Sequence, residues 1–351
     1  MSQGVSEANI PSLSSCLIYN YSMPKEFNEL TRLGKIRRLH RLINKALQAY
    51  DLDVAQIKFL TIETNTHFEI RSKSGERFAM RIYSDGETTL KENRAEIFWL
   101  TALVRDTDLK VTEPVPRKDG KYISVVTVPG VPPDCRCVLY RWIPGQPLGN
   151  CNSPEYYYKL GQDLAKLHNH AITLNPLPPE IDPKRWDKAF YYPDEPVVYN
   201  TQEYSHLFSQ KDIQIIDSVI EIMEKMFSKL FNDKEDLMLI HGDLHLWNVH
   251  IYQGELYLID FEDINLGYPV QDIAVTLYSG RNREDFSDFK NTFIEGYTII
   301  RMWPKVEPAV IPTLMAARSV MFINYAARIL DEPEEYIDTR LKELKNFLIS
   351  G

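Results

Sequence analysis

The 351-residue sequence is short of cysteine, of basic charge and of long apolar runs, and each shortage removes a class of protein. Its four cysteines, Cys16, Cys135, Cys137 and Cys151, include no CxxC pair, so neither a zinc ribbon nor a disulfide framework is expected, and they read as free thiols. No stretch approaches the ~18 consecutive apolar residues of a membrane span, which argues against a membrane partner. No basic residue precedes Lys25 and the apolar run at 16–19 is too short for a secretory core, so a cytoplasmic location is the expectation. Forty basic against 49 acidic residues give a net charge of −9, which disfavours a nucleic-acid partner. The one basic cluster, Lys35, Arg37, Arg38, His40, Arg41 and Lys45, is interleaved with Leu33, Ile36, Leu39, Leu42, Ile43 and Leu47 at helical spacing, and reads as the solvated face of a helix. Oligomeric state is not legible.

What is present is enough apolar material, 44% of residues, to fill two cores in a chain too long for one small domain. Residues 1–24 are rich in serine and show no period, so they read as an extension. Residues 25–142 carry a helix over 24–50 that starts at Pro24, a strand meander at 57–61, 67–71 and 77–83, a helix over 88–105, a Lys118-Asp119-Gly120 turn, and a strand at 136–142. The cluster Ile143-Pro144-Gly145-Gln146-Pro147 marks a linker, and 143–351 form a second, mainly helical unit. It opens with a helix at Ser153-Pro154, with serine in the capping position, and is broken by six prolines between Pro176 and Pro196. A helix over 212–231, a strand at 237–240, a hairpin of 249–252 and 255–260, and helices over 284–300, 309–330 and 334–349 follow. The class is α+β in two lobes.

The densest chemical signal is Ile240-His241-Gly242-Asp243-Leu244-His245-Leu246-Trp247-Asn248, followed by Leu258-Ile259-Asp260-Phe261. An H-x-D-x-x-x-x-N loop with an Asp closing the next strand is a phosphoryl-transfer pattern. One carboxylate, Asp243, can take the proton of an acceptor hydroxyl. An amide oxygen and a second carboxylate, Asn248 and Asp260, can hold Mg2+ beside ATP phosphates. His241 and His245 stand four apart in a loop, where that spacing does not place two metal ligands on one face, so His241 is expected to brace the loop. Glu262 and Asp263 add negative charge and could receive an amine on a small-molecule acceptor, or face solvent.

These motifs, with Gly242 after His241 and with Glu262-Asp263 followed by Gly267-Tyr268-Pro269-Val270-Gln271-Asp272, resemble the aminoglycoside phosphotransferase and choline kinase family, relatives of the protein kinases, and within it the homoserine-kinase-like and stress-response-kinase branch. The resemblance spans roughly residues 50 to 330. It implies a protein-kinase-like fold and an ATP- and Mg2+-dependent transfer to a small-molecule hydroxyl. It assigns Arg81, in Phe78-Ala79-Met80-Arg81, to the ATP phosphates, with Glu96 as its partner and Glu92 as runner-up. It assigns the backbone of Arg141 and Ile143 to adenine, and Asp272 to support of the catalytic loop. The nucleotide-covering loop, Glu63-Thr64-Asn65-Thr66, departs from the pattern in having no glycine, which leaves the Thr64 and Thr66 hydroxyls and loop amides as donors. Two rival readings are a protein Ser/Thr kinase and a catalytically silent ATP-binding scaffold. The first is disfavoured by the short stretch between Phe261 and Asp272, the second by the intact Asp243, Asn248 and Asp260.

Overall fold

The computed structural model describes residues 25–350 apart from 85, 87, 193, 194 and 233–235. The expectations for residues 1–24, including Cys16 and a helix start at Pro24, lie outside these. The first described helix, α1 (Arg32–Leu47), begins later than expected because Thr31 caps it, its hydroxyl accepting from the Gly34 amide at 3.2 Å. Leu39, Leu42, Ile43, Ala46 and Leu47 form its buried stripe. That stripe packs on a five-stranded antiparallel sheet of order β1-β2-β3-β6-β5, made of β1 (Val54–Ile62), β2 (Thr66–Ser72), β3 (Arg77–Ile82), β5 (Ser124–Val126) and β6 (Cys135–Arg141).

Alternation along β3 and β6 divides their side chains between two cores. Met80, Ile82, Cys137 and Leu139 join α1 in one. Val138 and Tyr140, with Tyr83 just beyond β3, belong to the other, together with Trp99 and Leu103 of helix α2 (Leu90–Asp106). Arg81 lies on this second face, between sheet and helix.

The second lobe contains α3 (Pro154–Thr173), α4 (Gln210–Leu230), α5 (Pro269–Gly280), α6 (Phe286–Thr298), α7 (Val310–Ile329) and α8 (Glu334–Ser350). Ser153 precedes α3 but makes no side-chain cap bond, so Pro154 at the first turn is the start signal that operates. Two small sheets hold the site. In one, β4 (Lys110–Val111), β11 (Glu255–Leu258), β10 (Val249–Tyr252) and β7 (Gln146–Pro147) lie in that order; in the other, β8 (Lys184–Arg185), β12 (Asn265–Gly267) and β9 (Met238–Ile240) do. Among the described residues α7 is the one helix long and apolar enough to cross a membrane, and 67% of its most apolar window is buried in the core. It nevertheless carries a buried arginine, Arg318.

Candidate active site

The loop after β9 is shaped by its backbone bonds. The amides of His241 and Gly242 both donate to the Asp272 carboxylate, at 2.8 and 2.7 Å, from the first turn of α5. Gly242 has φ +80°, and a Cβ there would come within 2.2 Å of the Asp263 carbonyl oxygen, so only glycine fits. His241 is fully buried, and its Nε2 lies 3.0 Å from the Ile259 carbonyl, which can only accept. The proton therefore sits on Nε2, and Nδ1 is left to accept the Asp243 amide at 3.3 Å. Asp272 is held in turn by His168 of α3, Nε2 to Oδ2 at 3.2 Å. Sequence reasoning missed His168, which stands in no motif.

The hairpin of β10 and β11 brings Asn248 and Asp260 to adjacent ends. Val249 faces Leu258, and the Ile259 amide donates to the Asn248 carbonyl at 3.0 Å. Asp260 turns the chain in the left-handed region at φ 65°. The Asn248 Nδ2 is spent on the Asp243 carbonyl, 3.0 Å away, which leaves its Oδ1 as an uncommitted oxygen. Asp260 gives Oδ1 to Arg81 at 2.8 Å. One amide oxygen and one carboxylate oxygen are then on offer, a hard donor set that suits Mg2+ completed by water and phosphate oxygens.

Arg81 is 5% exposed and meets carboxylates from both lobes. Its Nη1 is 3.0 Å from Glu96 Oε1 and 3.7 Å from Glu262, and its Nη2 reaches Asp260. Burial works against the guanidinium charge, but Glu96 and then Asp260 more than offset it and hold its pKa well above the usual value. Glu96 also accepts from the Tyr83 and Tyr140 hydroxyls, at 2.7 and 2.8 Å. The runner-up, Glu92, instead closes a capping box with Thr89 at the start of α2.

The loop between β1 and β2, expected to cover the nucleotide, differs from its sequence pattern. Thr64 is exposed in the turn, but Thr66 is buried at the start of β2, because the strand begins one residue earlier than the pattern indicated. Asn65 between them turns inward, accepts from the Ser84 amide at 3.1 Å and donates to Glu262. Glu262 thus faces Arg81 and this loop. Its carboxyl is pushed up to about 8, by burial first and then by the Asp260 charge. At the linker, the Arg141 amide is occupied by the Glu113 carbonyl at 2.9 Å, so only its carbonyl could meet a base, while Ile143 lies just beyond β6.

On the opposite side of the cleft Asp263 is already committed. Lys184 binds it at 2.7 Å and the Tyr192 hydroxyl donates to it. Burial opposes its charge, and Lys184 more than compensates, holding the carboxyl to about 2. The Lys184 ammonium also lies 4.2 Å from the centre of the Tyr192 ring. The proline-broken segment therefore supplies a wall of this side, and Asp263 does not serve as a free anion. Asp243 itself pairs with Arg318 of α7, which sequence reasoning also missed.

Residues 58–309, more than half of the chain, match the sequence profile of a family described as "Phosphotransferase enzyme family". Among curated proteins, the amicoumacin kinase of Bacillus subtilis (strain 168) is 22% identical over 314 residues, covering 85% of this chain and 88% of the relative. A solved amicoumacin kinase in complex with AMP-PNP, Ca2+ and Ami aligns with a TM-score of 0.72 at 18% identity, over 90% of this chain and 96% of that one. A microcompartment-associated aminopropanol kinase gives 0.70 at 18%, over 88% and 95%. A spectinomycin phosphotransferase in complex with ADP and spectinomycin gives 0.61 at 16%, over 88% and 93%. At these identities the structural likeness shows a shared two-lobed α+β fold, with a small antiparallel-sheet lobe and a mainly helical one.

Proposed function

The chain belongs to the phosphotransferase enzyme family and is a phosphotransferase with an alcohol group as acceptor, and from that premise we propose that it moves the γ-phosphoryl group of ATP to a hydroxyl of a small molecule. The observation that carries this reading is one connected set of contacts: Arg81 touches Asp260, Asn248 touches Asp243, and paired strands join Asn248 to Asp260. Residues 25–142 act as the nucleotide-covering lobe, and 143–351 hold the base and the acceptor.

Solved relatives hold AMP-PNP with Ca2+, or ADP. When bound, Mg2+ shields the phosphate charge, with Asn248 and Asp260 as its protein ligands. Arg81, held by Glu96, supplies a fixed cation to the phosphates, and Asp260 leaves it in part to do so. Thr64, the amides around Asn65, the Arg141 carbonyl and the Ile143 backbone border the nucleotide. Asp243 orients the acceptor hydroxyl and takes its proton. His241 and Asp272 keep that loop rigid.

The acceptor class we favour is an amino alcohol, amino acid or aminoglycoside type, in keeping with relatives named for amicoumacin, aminopropanol and spectinomycin. Because Asp263 is spent on Lys184, an acceptor amine is met by groups other than Asp263. The segment between Phe261 and α5 holds only a turn and β12, too little chain to support an extended peptide, which favours a small acceptor over a protein one. The test is ADP release across amino alcohols, amino acids, sugars, aminoglycosides and generic proteins. Turnover confined to proteins would move the reading to a protein kinase, and nucleotide binding with no turnover to a silent scaffold.

A further inference from the structure

Asp243 has two carboxylate oxygens, and they are held unequally. Oδ1 receives the Arg318 guanidinium. Oδ2 has only long contacts, 3.5 Å to Asn248 Nδ2 and 3.5 Å to His245 Nε2. The His245 Nδ1 accepts from the amides of Trp247 and Asn248, at 3.2 and 3.1 Å, which leaves Nε2 as the ring nitrogen that can donate toward Oδ2. Among the described residues, Arg318 is the one arginine or lysine paired with Asp243.

Arg318 is only 6% exposed on a helix whose neighbours Ala317 and Val320 are core. The Phe322 ring centre lies 4.9 Å from its guanidinium, and Tyr191, Tyr192 and Asp263 are the other titratable groups that act on it. Burying a cation costs several kcal/mol even when it is paired, and an apolar side chain of similar volume is often the more stable choice. Fold stability alone does not explain a charge at this point of an apolar helix. Holding the carboxylate does.

We propose that Arg318 is a positioning residue for phosphoryl transfer, fixing Asp243 Oδ1 from α7 so that Oδ2 is the oxygen turned to the acceptor hydroxyl. This rests on the reading of Asp243 given above. In the step itself the acceptor O–H proton passes to Asp243 Oδ2, the acceptor oxygen bonds to the γ-phosphorus, and the bond to the β,γ-bridging oxygen breaks to release ADP. Arg318 exchanges no proton, since its charge is reinforced by Asp243 against the opposing effect of burial.

The experiment measures ADP release at saturating MgATP, with 1-amino-2-propanol and with water as acceptors, in Arg318→Met, Arg318→Gln, Arg318→Lys and Asp243→Asn. Arg318→Met should lose about 10²-fold in kcat, the size of effect expected of a misaimed group, with KM for ATP within about twofold. Arg318→Lys should recover part of the loss, because it restores charge without the planar fork, and added guanidinium ion should raise the rate of Arg318→Met. A merely structural role would give neither rescue. Should the Met variant fail to fold, the Gln and Lys variants decide, with Lys active and Gln impaired. A thermal-melting cycle of Arg318→Gln with Asp243→Asn should show non-additive losses whatever the acceptor. Wild-type turnover in Arg318→Gln, or additive melting losses, would overturn the proposal. If Asp243→Asn also turns over normally, the reading of Asp243 falls with it; if Asp243→Asn is dead, only the role of Arg318 falls.

Discussion

The two ends of the cleft each hold a buried arginine, and they differ in the charge around it. At the end we propose for the nucleotide, three carboxylates surround Arg81: Glu96, Asp260 and Glu262. At the end we propose for the acceptor, Arg318 pairs with Asp243, and Lys184 with Asp263. The first end carries more negative than positive charge, and burial together with Asp260 pushes the Glu262 carboxyl up. The second is balanced. An acidic excess in a buried cleft is what a divalent cation would offset, whereas the paired wall contributes no net charge of its own. The acidity of Glu262 and Asp263, which in sequence suits an amine, therefore divides in three dimensions between a carboxylate that faces Arg81 and a closed ion pair.

The largest expected effect is at the acceptor end. Asp243→Asn should lower turnover by about 10²-fold or more while nucleotide affinity stays within about twofold, because the base acts on the hydroxyl and not on ATP. Calorimetric titration of AMP-PNP beside ADP-release kinetics reads both. Equal losses in binding and turnover would mean that the two ends are not separate in function.

Next comes the metal side. Asp260→Ala should remove the Mg2+ dependence of nucleotide affinity, and Asn248→Ala should weaken it less, since a carboxylate is the stronger ligand for a hard cation. A magnesium titration of AMP-PNP binding checks this. If neither variant changes the titration, the acidic excess serves something other than a metal.

The Arg81 cluster supplies the third. Arg81→Ala and Glu96→Ala should each depress turnover, and the double variant should lose less than their sum, because coupled residues are not additive. Glu96→Ala also removes the acceptor shared by the Tyr83 and Tyr140 hydroxyls and leaves Arg81 to Asp260 and Glu262, so it should cost about 1–3 kcal/mol of stability, the range for leaving buried polar groups short of a partner. Additive kinetics would break the claim that Arg81 works only as Glu96 holds it.

What was legible in the sequence follows from distance along the chain. Asp243, Asn248 and Asp260 lie on one loop and the hairpin beyond it, so spacing and strand alternation suffice to bring them together. The contact of Arg81 with Glu96 joins adjacent elements, and the family pattern points to it. Arg318 is 75 residues from Asp243 on a helix whose composition says core, and no periodicity marks its partner. Lys184 and Tyr192 were hidden for another reason: a proline-broken segment has no face from which direction can be read. The start of α1 is signalled by Thr31, a good cap, but Pro24 is a competing start signal at the head of the same apolar period. In the nucleotide-side loop, counting hydroxyls pointed to Thr64 and Thr66, while the turn directs Asn65 inward.

The smallest expected effect calibrates the comparison away from both ends. Asp163 of α3 shares its nearest cation, since Lys166 is 3.1 Å from Asp108 and 3.7 Å from Asp163, and Lys159 acts on it more weakly. Burial raises its pKa from 3.8 to about 6. The folded protein therefore binds this proton more tightly than the unfolded chain does. The resulting stability is fully present below pH 3.8 and is lost as pH rises through about 6. An uncharged amide resembles the protonated acid, so Asp163→Asn should stabilise the protein at pH 8 by about 1 kcal/mol, allowing for partial exposure, and raise Tm by about 2 °C in a chain of this size. At about pH 3.5, below the unfolded-state pKa, the two proteins should melt together, and turnover should be unchanged at every pH. If the gain is absent at pH 8, burial does not raise the Asp163 carboxyl in this fold.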